Sequence, residues 1–207
     1  MRNHLPLSIA LLLACSCAAP VAANERPEAL QAFASQAREL RHLDFVWGEA
    51  TGDLNGDGIS DVALVLTGSR RDEAPREERL VVLAGVPSGG YRILSLSGEF
   101  CHPGKFYTLD IKRGSLIVEA VETSDASRHG STTRRFRYNA KLKDLELIGE
   151  DTLSVAYDED EEERSSANYL TGKSIATLRS KGKTRSSEKR IESPVRPVRL
   201  NGWDCGA

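Results

Sequence analysis

Residues 52–67 read GDLNGDGISDVALVLT. The first half places an acidic or amide side chain at alternate positions, with glycine packed between them. The second half is an unbroken aliphatic run of strand length. Numbered from Asp53, oxygen-bearing side chains fall at positions one, three, five and nine: Asp53, Asn55, Asp57 and Asp61. Gly58 stands at position six, where the chain must turn sharply, and the Ile59 carbonyl at position seven can face inward. Calcium takes six to eight oxygens at about 2.3–2.6 Å, whereas magnesium demands stricter octahedral geometry. Crowded carboxylates repel one another unless a cation neutralises them. The loop therefore reads as a calcium site, set against the alternative of a metal-free turn of Asx and glycine residues. An EF-hand needs a Glu at position twelve and a helix on each side. Position twelve here is Leu64, inside the aliphatic run, so the loop belongs between strands.

Working outward, the pattern stays that of strands. Before the loop, Leu43, Phe45 and Trp47 alternate with His42, Asp44 and Val46 up to Gly48. After it come RLVVLAG, YRILSLS, FYTLDIK, SLIVEAVE, RRFRYN, LELIG and TLSVAYD, separated by turn chemistry such as VPSGG, HPGK, KRG and NAKLKD. No helical pattern intervenes, which excludes parallel βαβ units and predicts a mainly β protein, an antiparallel meander or rolled sheet. One amphipathic helix precedes it, over Pro27–Arg41, with Leu30, Phe33, Ala37 and Leu40 on one face. RFRYNAKLKDLELIG predicts a hairpin, with Phe136 and Tyr138 facing Leu145 and Leu147, and Arg135 and Arg137 on a solvated outer face.

The two ends carry an address. The chain opens with a basic Arg2, an apolar run from Leu5 to Ala14 and small residues ending Val21-Ala22-Ala23. That order reads as an export signal over residues 1–23, cleaved before Asn24. The run is too short to span a bilayer. Leu12-Leu13-Ala14-Cys15 also resembles a lipobox, so free secretion to the periplasm or exterior competes with a lipoprotein anchored at Cys15. Cys101 and Cys205 remain after cleavage and read as one disulfide of an exported chain, the alternative being two free thiols. Residues 24–178 form the β domain. Residues 179–207 read as a basic, partly extended tail, with eight basic residues from Arg179 to Arg199 and its end pinned by Trp203 and Cys205. DEDEEER, Asp158 to Arg164, reads as a solvated acidic loop.

At the loop the residues carry a likeness. GDLNGDGISDVALV resembles the calcium loop of FG-GAP and VCBS-type repeats, the loops of integrin propeller blades. The resemblance implies a loop between two strands, with ligands matching Asp53, Asn55, Asp57, the Ile59 carbonyl and Asp61. Trp47-Gly48 stands where the family's Phe-Gly lies, at shorter spacing, and the closing Gly-Ala-Pro is replaced by VLTGS. A propeller needs several blades, and a single loop excludes one by count. More loosely, the order of GDLNGDG, IKRGSLIV, FRYN, LIGEDTLSVAYD and NYLTGK is similar to small exported bacterial proteins of unknown function.

Catalytic signals are weak. His42, His102 and His129 are far apart and lie in no nucleophile or metalloenzyme signature. No phosphate loop or dinucleotide fingerprint occurs. The formal net charge of -2 makes no demand for nucleic acid. The reading is an exported calcium-binding β domain, a monomer that binds an envelope or protein partner without catalysis. The alternative is a secreted hydrolase whose carboxylates assemble only in the fold.

Overall fold

The computed structural model describes residues 25–68, 77–99, 106–123, 128–158, 160–191 and 199–203. Cys15, Cys101, Cys205 and the Asn24 cleavage site lie outside the described residues. Helix α1 is Glu25–Gln36, followed by a 3-10 turn at Arg38–Leu40. Strands β1 (Leu43–Gly52), β2 (Asp61–Gly68), β3 (Glu78–Gly85) and β4 (Tyr91–Leu96) form one sheet in chain order. Strands β5 (Phe106–Lys112), β6 (Ser115–Thr123), β7 (Arg128–Asn139), β8 (Asp144–Ala156), β9 (Glu161–Asn168), β10 (Lys173–Ser180) and β11 (Lys183–Arg190) form a second, also in chain order. Every neighbouring pair is antiparallel and neither sheet closes into a barrel. This is the mainly β meander with one helix at its start that the strand runs predict.

The layers explain the sequence patterns. Ala63, Val65, Leu80 and Val82 face the second sheet, where Leu109, Leu116, Val118, Phe136 and Leu145 meet them. Val62, Leu64, Leu66, Val81 and Leu83 face the other way, onto Ala29, Phe33 and Ala37. With both faces of β2 and β3 covered, DVALVLT and RLVVLAG must be apolar without alternation. Burying Phe33 stabilises the helix–sheet layer by about 1.5–3 kcal/mol. The predicted hairpin forms: Phe136 pairs with Leu147 and Tyr138 with Leu145. Leu200 and Trp203 close the same core, with the Trp203 ring centroid 5.2 Å from that of Phe136 and the Arg134 guanidinium over its face.

Several expectations change. The helix stops at Gln36 instead of Arg41, because Ala37 (φ -115, ψ 66) leaves the α region. The alternation at Leu43, Phe45 and Trp47 fails: register shifts at Leu43/Phe45 and Val46/Gly48 turn Val46 inward and leave Phe45 and Trp47 exposed. These irregularities re-aim side chains that a uniform period of two would bury. LELIG and TLSVAYD are one strand, β8, because its partner β7 begins at Arg128 and pairs with it along its length. The acidic run divides between a turn and β9, where Glu162 stands opposite Arg179. The stretch from Arg179 onward, read as a basic, partly extended tail, supplies the end of β10 and all of β11. Leu170, in the turn between β9 and β10, and Ile175 and Leu178 on β10 stay exposed.

Candidate metal centre

The 53–61 loop joins β1 to β2, as the spacing predicts. Leu54 tucks into the core between the sheets and holds the loop's start. Gly56 (φ 79) and Gly58 (φ 81) both take the left-handed conformation that a side chain resists. Between them the chain winds through successive Asx turns. Asp53 accepts N–H bonds from Gly56 (2.7 Å) and Gly58 (2.9 Å), one at each carboxylate oxygen. Asn55 Oδ1 accepts from the Asp57 N–H, and Asp57 Oδ1 from the Ile59 N–H, each at 2.9 Å. The Asn55 amide also donates to Asp57 Oδ2 (2.9 Å). Each carboxylate oxygen accepts at more than one position, so these bonds shape the coil without using up its acceptors.

Asp61 behaves differently. Its carboxylate is fully buried and turned into the sheet. Oδ2 accepts from the N–H groups of Leu54 (2.9 Å) and Asn55 (3.3 Å), and Oδ1 from the N–H of Gly85 on β3 (3.0 Å). Three of roughly four acceptor positions are thereby filled. Burial raises its pKa above the usual carboxylate range, against the lowering pull of the Leu54, Gly85 and Asn55 bonds, and the Asp57 charge adds to the rise. Gly85 matters for a second reason: a Cβ there would lie 2.4 Å from the Ser60 carbonyl oxygen. Sequence reading missed Gly85 and Leu54. Their signals were present, a glycine ending an otherwise aliphatic strand and a leucine inside a polar loop.

The loop thus brings Asp53, Asn55, Asp57 and Ile59 into one coil tied by its own hydrogen bonds and sets Asp61 beneath it as an anchor. The donors are all oxygens, which suits a hard cation rather than zinc or copper. Among the described residues, no three carboxylate, imidazole or thiolate groups converge on a ready-made metal cluster. Any ion here would depend on the amide and main-chain oxygens as well. The two described histidines are engaged elsewhere. His42, half-exposed, bonds Glu77 (2.8 Å), and His129 stacks on Tyr157 with ring centroids 5.1 Å apart. No protein-family model, curated protein or solved structure matches the chain. Among the described residues no helix is long and apolar enough to cross a membrane.

Proposed function

We propose that this chain is an exported, non-catalytic β domain that takes a calcium ion in the 53–61 loop and serves as a binding module of the cell envelope or exterior. The observation that carries the calcium reading is the coil itself. Two left-handed glycines wind Asp53, Asn55 and Asp57 around one short turn, buttressed from below by Asp61 and Gly85. Asp53, Asn55, Asp57 and the Ile59 carbonyl would hold the ion. Asp61 has one acceptor position left for it and chiefly fixes the loop.

An ion that binds only the folded chain adds RT ln(1 + [L]/Kd), about 2.7 kcal/mol at a hundredfold excess over Kd. Extracellular calcium modules bind at about 10⁻⁴ to 10⁻³ M, so millimolar calcium adds less. Wild type should melt a few degrees higher in millimolar calcium than in chelator. Asp57→Ala should abolish the difference, and Asp160→Ala should keep it. Equal melting temperatures for wild type in both buffers, with no heat of binding by calorimetry, would leave the loop a metal-free turn.

The export reading rests on the leader. Mass spectrometry of the mature protein should find Asn24 at its N-terminus. Labelled palmitate on Cys15 would establish the lipoprotein in its place. The disulfide reading gains support from the chain flanking the two cysteines. The Gly98 N–H donates to the Trp203 carbonyl at 2.9 Å, three residues before Cys101 and two before Cys205.

A further inference from the structure

Most sheet edges of this protein are covered. β1 lies along β5 so closely that a Cβ on Gly48 would sit 3.2 Å from the Tyr107 carbonyl oxygen. The β4 edge is capped by one side chain: the Ile93 N–H donates to Gln36 Oε1 (2.9 Å), and Gln36 Nε2 donates to the Tyr91 carbonyl (3.0 Å). β11 is the exception. All eight of its residues are exposed, and among the described residues its only strand partner is β10. Past Ile191 the described chain resumes at Arg199, which is bridged to Glu146 on β8, on the far side of β9 and β10.

Proteins guard such edges with bulges, prolines, short strands, covering elements or charge. β11 pairs with β10 over its full length without a register shift and contains no proline. Among the described residues charge alone remains: Lys183, Arg185, Lys189 and Arg190 against Glu188. Those charges select among partners. A second copy of β11 laid antiparallel about Ser186 would set Lys183 directly opposite Lys189, and one laid about Ser187 would set Arg185 opposite Lys189; like charges so placed are destabilising. An acidic strand meets the opposite condition. Alternate residues of a strand share a face, so Lys183, Arg185 and Lys189 stand on one side of the sheet and Arg190 on the other.

We propose that β11 is a docking edge for an extended acidic peptide segment of a partner protein, which adds a strand to the seven-stranded sheet. Main-chain bonds along the edge supply affinity, and acids at every second residue meet Lys183, Arg185 and Lys189. The inference deepens the binding-module reading and is independent of calcium.

The test uses the mature full chain and a fluorescein-labelled eight-residue peptide in which glutamate alternates with threonine. Fluorescence anisotropy should show saturable binding. Two changes should each weaken it by at least about tenfold: reversing charge with Lys183→Glu and Arg185→Glu together, and methylating alternate main-chain nitrogens of the peptide, which removes strand hydrogen bonds but no charge. Both substituted positions are exposed, so the melting temperature should stay at the wild-type value and certify the fold. Absence of binding overturns the proposal. So does equal binding of the methylated peptide, which would reduce the contact to bare charge, or equal binding of a lysine–threonine peptide. Binding of the chain to phosphatidylglycerol vesicles with none to the peptide also overturns it and assigns the edge to a lipid surface. Each titration is run in calcium and in chelator, so peptide binding by a chain that takes no calcium counts against the loop reading alone.

Discussion

Asp61→Ala should destabilise the protein by about 3–5 kcal/mol, since two buried N–H groups and one partly buried one lose their acceptor and each orphaned group costs about 1–3 kcal/mol. The three donors come from different places: Leu54 and Asn55 open the loop, and Gly85 ends β3. Losing the carboxylate unties the loop from the sheet. Urea denaturation in chelator is the measurement, so that no ion contributes. Asp57→Ala in the same buffer should cost about 1 kcal/mol or less, because its side chain is exposed and bonds only within the loop. Equal losses for the two would contradict the division of the loop into an anchor and a coil. Asp61→Asn adds a pH signature. The folded pKa of Asp61 is raised by burial, so as pH rises the unfolded chain releases that proton first. The stability this group contributes is full below about pH 4 and declines as pH passes through the folded value. The advantage of wild type over Asp61→Asn should narrow over that window.

Cleaving a Cys101–Cys205 bridge should cost about 4–5 kcal/mol in the loop-entropy model, because so long a loop is released in the unfolded chain. The geometry permits the bridge. At no more than about 3.6 Å per residue, Cys101 lies within about 11 Å of Gly98, and Cys205 within about 7 Å of Trp203, and those two residues share a 2.9 Å hydrogen bond. Intact mass of the exported protein should rise by two hydrogens on reduction, and the paired substitution Cys101→Ser with Cys205→Ser should lower the urea midpoint. Two thiols that alkylate without reductant would end the idea. In the substituted protein the Trp203 ring remains against Phe136 and Arg134, so the loss should appear as a cooperative shift rather than a melted C-terminus.

Much of this architecture was legible in the residues, for a physical reason. Strands buried on both faces, such as β2 and β3, must be aliphatic throughout, and turn residues punctuate them. The loop was legible because sharp coils need glycine at fixed places, and Gly56 and Gly58 are where the left-handed conformation falls. Three things were hidden. The facing of Phe45, Val46 and Trp47 depends on two register irregularities that no local period encodes. β11 reads KTRSSEKR, with no apolar residue at all; it is a strand because β10 offers it a ladder, not because a face is buried. The direction of Asp61 was equally silent. Position nine looks the same in sequence whether its carboxylate turns toward an ion or toward Gly85.

The Gln36 cap has a consequence for how the chain reaches this state. The amide that imitates a strand at the β4 edge belongs to α1, so the edge stays open until the helix docks. The contacts that dock it, Phe33 and Ala37 among them, require the sheet to exist already. A chain whose sheet forms before the helix docks would leave that apolar face bare and that edge open to another molecule's strand. Refolding yield should then depend on protein concentration more steeply for Gln36→Ala than for wild type. Docking of the helix would close that edge and cover that face, a guard against self-association that begins with docking and persists in the folded chain.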